Sequence, residues 1–228
     1  MFALTLEIDT AAGSLPVYAC VHKDSVARPL VVVLHHRGGV DEHMKDVAHR
    51  LGREGFHVAV PDLFHRQPDI ADPSERVRLL NDLEIVADVQ TTLTAMQSYQ
   101  PSSIAVIGFC SGGRSTYLCA THLELDAAVV FYGGNVMKAQ GDALSPFERT
   151  RHIRCPVLGF FGKDDTNPSS QDVRAMSERM TELGIWHEFH SYNDTGHAFH
   201  NFLSPYYRDR AAKSSWTTML HFLREKLR

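Results

Sequence analysis

Five short apolar runs, several of them rich in β-branched residues, alternate with stretches of helical length, and this alternation leaves few architectures open. The runs are PLVVVLHH (Pro29 to His36), FHVAVPD (Phe56 to Asp62), SIAVIGF (Ser103 to Phe109), DAAVVFYGG (Asp126 to Gly134) and PVLGFFG (Pro156 to Gly162). Strands that are apolar at successive positions must be covered on both faces. The intervening stretches read as helices over 41–54, closed by Gly55, then over 75–99, 111–122, 170–183 (closed by Gly184) and 209–227. MFALTLEIDT at the start and WHEFHSY near the end read as further strands. Repeated strand–helix units predict an α/β fold with a mostly parallel central sheet and helices on both faces. No linker rich in Pro, Gly or Ser interrupts the pattern. Residues 1–228 are therefore expected to form one domain, a size that a single core can serve.

Composition narrows the function. A net charge of −4 gives no electrostatic basis for binding nucleic acid or an anionic membrane. No apolar run approaches the roughly 20 residues of a membrane span, and the N-terminal stretch carries acids where a signal peptide carries bases. The four cysteines, Cys20, Cys110, Cys119 and Cys155, lack CxxC pairing and the density of a disulfide scaffold. The cytoplasm is the expected compartment. The expected state is a monomer, with a homodimer as the alternative.

In parallel sheets, chemistry collects where strands end. Those ends read HHRGG, PDLFHR, GFCSGG, FYGGN, FGKDD and, later, DTGHAFHN. G-F-C-S-G-G fits G-x-nucleophile-x-G, a sharp strand-to-helix turn that lifts its central residue above the sheet. The glycines stand where a Cβ would clash, and the helix N-terminus that follows favours a thiolate at Cys110. Such a turn needs an acid and then a base later in the chain. FGKDD offers Asp164 and Asp165, and DTGHAFH offers His197, with His200 three residues on. The T-G-H setting favours His197, which would take the thiol proton.

These segments together resemble the dienelactone hydrolase family, cysteine hydrolases of the α/β-hydrolase fold. The resemblance rests on HHRGGVD, PDLFHR, GFCSGG, FGKDDTNP and TGHAF and spans nearly the whole chain. It implies Cys110 as nucleophile, His197 as base and Asp165 as acid, since Asp165 stands third after Gly162 as in the family's G-x-x-D. It implies an oxyanion hole formed by the backbone N–H groups of Ser111 and Arg37. Where well-known members carry a glutamate beside the cysteine, this chain has His36. Arg78 matches, loosely, an arginine that grips a substrate carboxylate, while the position of a second such arginine is Asn201. The expected activity is hydrolysis of small esters or lactones through an acyl-enzyme on Cys110. The alternatives are a promiscuous esterase that also takes phosphoesters or thioesters, and an idle ligand-binding scaffold. His36 and Arg78 are the expected substrate-binding residues. Neither a cofactor nor a metal is required, because no phosphate-cradling or metal-ligand motif appears.

Overall fold

The protein is described from a computed structural model over residues 1–24 and 26–227. Eight strands form one sheet in the order β1-β2-β4-β3-β5-β6-β7-β8. The first two are β1 (Phe2–Thr10) and β2 (Gly13–Val21), a hairpin whose β2 also pairs antiparallel with β4 (His57–Pro61). From there every pairing is parallel: β3 (Leu30–Leu34), β5 (Ile104–Phe109), β6 (Ala127–Phe131), β7 (Val157–Gly162) and β8 (His187–Tyr192). The interior strands β3, β4, β6 and β7 are buried at every residue, as their unbroken apolar runs require. β1 alternates between exposed and partly buried residues and forms one edge.

Helices cover both faces. On one side α1 (Glu42–Arg53) and α6 (Asp209–Lys226) pack over a core that includes Val31, Val33, Ile107, Phe109, Val129, Phe131 and Leu158. On the other, α3 (Asp82–Met96), α4 (Ser111–His122) and α5 (Ser170–Glu182) close over Val32, Leu34, Val106, Ala128 and Val130. Alternate residues of one strand thus feed opposite cores.

One element departs from expectation. The helix read over 75–99 is two helices, α2 (Pro73–Arg78) and α3, followed by a short 3-10 turn over Gln97–Tyr99. Both starts are capped. Asp72 accepts from the Ser74 amide with Pro73 in the first turn, and Asn81 accepts from the amides of Leu83 and Glu84. A capping side chain competes with continuation of the preceding helix, and that competition breaks the segment at Leu79–Asn81.

Candidate active site

The G-F-C-S-G-G segment joins β5 to α4 through a turn in which Cys110 has φ +57° and ψ −117°. A non-glycine residue with such a φ is strained and persists only where its surroundings enforce it. Here they do. A Cβ on Gly108 would lie 2.1 Å from the Gly112 carbonyl oxygen, and one on Gly112 would lie 2.0 Å from that of Leu34. A Cβ on Gly113 would reach 2.6 Å from the Phe131 oxygen. The Cys110 amide donates to that same Phe131 oxygen at 3.0 Å, and the Arg114 amide donates to the Cys110 carbonyl at 3.1 Å. Strand and helix meet main chain to main chain, leaving Cys110 no other conformation.

His197 follows β8, on the loop that runs back past the end of β7. Its Nδ1 lies 2.7 Å from Asp165 Oδ2, an atom pair that requires the proton on Nδ1 and leaves Nε2 for the thiol. Asp165 is itself fixed: its other oxygen accepts from the Asn167 amide at 2.9 Å, and the residue is 7% exposed. Asp164 is exposed, and only its amide takes part in the turn, donating to the Thr195 carbonyl at 3.0 Å. His200 is fully buried on the far side of this loop, 3.1 Å from His43.

The electrostatics follow from this geometry. Burial works against a charged Cys110, but the hydrogen bond and charge of His197, with the amides of Ser111 and Arg37, hold its thiol below the ordinary value. Burial likewise works against a charged His197. Hydrogen bonds to Asp165 and Cys110, with their negative charges, prevail and raise its pKa to about 10. Both shifts favour a thiolate facing an imidazolium. Two backbone N–H groups, from Arg37 and Ser111, already face the sulfur.

A cleft passes over this pair in two halves that share Arg37, Cys110 and His197. One, of about 390 Å³, is lined by Ser74, Val77, Ser115, Asn135, Gln140 and Asn167 among others. The other, of about 640 Å³, is lined by His36, Pro73, Tyr132, Leu203, Pro205 and Tyr206 among others. His36 thus reaches the cleft. Arg78 does not: helix α2 offers Ser74 and Val77 to the cavity, while Arg78 turns to solvent with its side chain 73% exposed and paired with Glu75. A neighbouring cation lines the cleft instead. Arg37 belongs to both halves, and among the described residues no carboxylate pairs with it.

His36 sits in a cluster that sequence inspection did not assemble. Its Nδ1 accepts from the Gly38 amide at 2.9 Å, so its Nε2 carries the proton and faces Asp41 Oδ2 at 3.3 Å. Asn201, at the position where the resemblance implies a second arginine, lines the larger half of the cleft, with its Nδ2 3.3 Å from that Nε2. His36, Asp41 and His43 offer ligand atoms within 4.8 Å of one another, which raises the question of a metal ion. The chemistry does not suit one. The His36 and His43 rings stack on each other, with planes 22° apart and centroids 5.5 Å apart. A metal-bound histidine also donates from its second nitrogen, whereas the second nitrogen of His36 accepts. His35 turns to the other side, where its Nε2 accepts from the Leu63 amide at 3.0 Å.

A further pair lay beyond sequence reasoning. Arg114, in the first turn of α4, makes a bidentate bond to Asp82 at the start of α3, with Nη1 2.5 Å and Nη2 3.0 Å from its oxygens. Both side chains are almost wholly buried. Arg114 also donates to the carbonyls of Asn135 and Lys138, and Asp82 accepts from the Gln140 amide. The pair therefore holds the loop that walls the smaller half of the cleft.

Comparison with known proteins was made against this geometry. The profile of the dienelactone hydrolase family matches residues 15–227. A Salmonella typhimurium (strain LT2) protein, named provisionally as a carboxymethylenebutenolidase, is 31% identical over 231 residues, covering 94% of this chain and 84% of its own. A Bradyrhizobium protein, named provisionally as a 2-oxo-3-(5-oxofuran-2-ylidene)propanoate lactonase, is 27% identical over 206 residues, covering 86% of this chain and 83% of its own. Among solved structures, a Klebsiella pneumoniae protein provisionally termed a dienelactone hydrolase superposes with a TM-score of 0.87 at 27% identity, covering 96% of this chain and 97% of the other.

Proposed function

Because the chain belongs to the dienelactone hydrolase family, and is thus a hydrolase of the α/β-hydrolase fold acting on esters or lactones, we propose that it works through a covalent acyl-enzyme on Cys110, with His197 as acid and base and Asp165 as its orienting partner. The observation that carries this reading is the setting of the Cys110 sulfur, which meets His197 on one side and the amides of Arg37 and Ser111 on the other.

The thiolate attacks the carbonyl carbon of the ester. A sulfur–carbon bond forms, and the carbonyl π electrons move to oxygen, where the Arg37 and Ser111 amides receive the charge. Donors of this kind contribute about 3 kcal/mol each in the transition state. Collapse of the tetrahedral intermediate breaks the bond to the leaving oxygen, which takes the proton from Nε2 of His197. The neutral imidazole then accepts a proton from water as the water attacks the thioester. Collapse releases the carboxylic acid and restores thiolate and imidazolium, so one ester and one water give one acid and one alcohol. Through both steps Asp165 holds the Nδ1 proton and steadies the cationic ring. With a lactone the leaving oxygen stays tethered and the product is a hydroxy acid. Arg37 replaces Arg78 as the cation available to a negatively charged substrate. The assembled nucleophile, base and acid speak against an idle scaffold.

The test is hydrolysis of p-nitrophenyl acetate by the wild type and by Cys110→Ala, with intact-mass analysis at millisecond to second times. The expected result is one acetyl group on Cys110 and loss of turnover in the variant. Undiminished turnover by Cys110→Ala would overturn the assignment.

A further inference from the structure

The two halves of the cleft differ in chemistry as well as in size. The smaller presents hydroxyl and amide groups from Ser74, Ser115, Asn135, Gln140 and Asn167 beside the aliphatic Val77 and Leu80. The larger has an apolar wall in Pro73, Leu203, Pro205 and Tyr206. Leu203 is 54% exposed and Tyr206 60%, high values for large apolar side chains beside a polar reaction centre.

This wall is not a loose loop. The Asn201, Ser204 and Tyr207 amides donate to the carbonyls of Ala198, Asn201 and Ser204 at 3.0, 3.0 and 3.1 Å. The Leu203 amide donates to Asn201 Oδ1 at 2.9 Å, and the Tyr206 amide to Ser204 Oγ at 3.1 Å. The segment ends where the Arg208 amide donates to the Phe199 carbonyl at 2.9 Å. Successive turns satisfy the backbone, and the apolar side chains are held outward against the cavity with no covering element among the described residues.

We propose that this wall is a subsite for an aromatic group on the alcohol side of the scissile ester, so that the enzyme's substrates are esters of aryl or arylalkyl alcohols. The proposal rests on the thiol-hydrolase reading above and assigns the two halves of that site. His197 borders both halves of the cleft and supplies the proton that the leaving oxygen needs. Its Nδ1 is taken by Asp165, so Nε2 must protonate the leaving oxygen. The wall is built from the chain that continues directly from His197, through Ala198 and Asn201 to Leu203. On this assignment a group bonded to the leaving oxygen lies against Leu203 and Tyr206. The acyl group faces the other way, along Ser111 and Ser115 towards Asn135. Flat apolar faces from two prolines, a leucine and a tyrosine suit a ring, which buries large area at little conformational cost.

Three esters decide the matter. Benzyl acetate and methyl phenylacetate are isomers that carry the same ring on opposite sides of the ester, and methyl acetate lacks the ring. Benzyl and methyl alcohols are similar in acidity, so leaving-group chemistry is nearly matched. Wild type is expected to favour benzyl acetate over both others by about tenfold or more in kcat/KM, the scale on which apolar pockets discriminate. In the double variant Leu203→Ala, Tyr206→Ala, that ratio should fall about tenfold, through KM. A wild-type preference for methyl phenylacetate, or no preference, overturns the assignment. So does a ratio unmoved in the double variant, including the case in which that variant changes only the oligomeric state on gel filtration, which would make the wall an interface between copies. Binding of benzyl alcohol to the Cys110→Ala protein, read by NMR line broadening, tests the subsite without turnover. Equal binding with and without Leu203→Ala, Tyr206→Ala removes the proposal, whereas acylation of Cys110 by p-nitrophenyl acetate tests the mechanism separately.

Discussion

The contact between Cys110 and His197 should make the reactivity of the thiol less dependent on pH than that of a free thiol. Because His197 is raised to about 10 and the thiol is lowered, the imidazolium persists through neutrality and more of the thiol is ionised there than in a free cysteine. Alkylation of Cys110 by iodoacetamide should fall less steeply between pH 8 and pH 6 than that of an ordinary thiol of pKa near 8.5, which slows by well over tenfold. A steep, ordinary-thiol profile would mean that the pair is not charged. The linkage to folding runs the same way for His197. Its pKa rises from 6.5 to about 10 on folding, so the stability it contributes is complete below pH 6.5 and is lost as pH rises through about 10. The two neighbouring aspartates give a sharper contrast. Asp165→Ala should reduce kcat by about 10³-fold or more, as loss of the orienting carboxylate does in triads of this kind. Asp164→Ala, at an exposed carboxylate, should stay within about twofold. Steady-state rates on one aryl ester read both. At this scale the sequence was most legible: the glycine spacing singles out Cys110, and the T-G-H turn singles out His197. The choice between Asp164 and Asp165 was not legible without a resemblance, because adjacent residues of a turn differ in direction and not in composition. Nor was the partnership of His36 with Asp41 and Asn201, which depends on how three separate loops meet.

Among the elements, the junction of α2 with α3 does most to shape the smaller half of the cleft, and it is where sequence reading failed. Helical periodicity runs through Leu79–Asn81, so a pattern search sees one helix; only the caps at Asp72 and Asn81 reveal two. Asn81 accepts from two amides, and Asn81→Ala should cost about 1 kcal/mol in chemical denaturation. The next residue is far more sensitive. Asp82→Ala leaves the Arg114 guanidinium buried and unpaired, a loss expected at about 3–5 kcal/mol. That variant should also lose binding in the smaller half of the cleft, since Gln140 and the Asn135 carbonyl are tied to the same pair. No spacing or motif links residues 82 and 114, and a pairing across 32 positions has no local signature.

Over the whole molecule, the alternation of apolar runs and helices was enough to give the layered sheet, because continuous burial on both faces admits few other solutions. What it could not give was strand order, since β3, β4 and β5 carry equally buried interiors. The order has a dynamic consequence. β3, β5 and β6 lie at the centre of the sheet with buried cores on each side, whereas β1 and β8 are edges with partly exposed faces. Backbone amides of the three central strands should exchange with solvent at least about tenfold more slowly than those of β1 and β8 in hydrogen–deuterium exchange. Equal protection throughout would mean that the sheet opens only as a unit.

The glycine contacts behind Cys110 bear on how freely such an enzyme can be redesigned. The surfaces that confine the turn are mostly main chain, from Gly112, Leu34, His35, Phe131 and Gly133, with the Thr116 hydroxyl beside Gly108, and none depends on the sulfur. The identity of the nucleophile and the shape that presents it are therefore separate inheritances: an oxygen or a selenium atom could be installed at position 110 on an unchanged backbone, while a methyl group at Gly108, Gly112 or Gly113 would dismantle the turn for any of them.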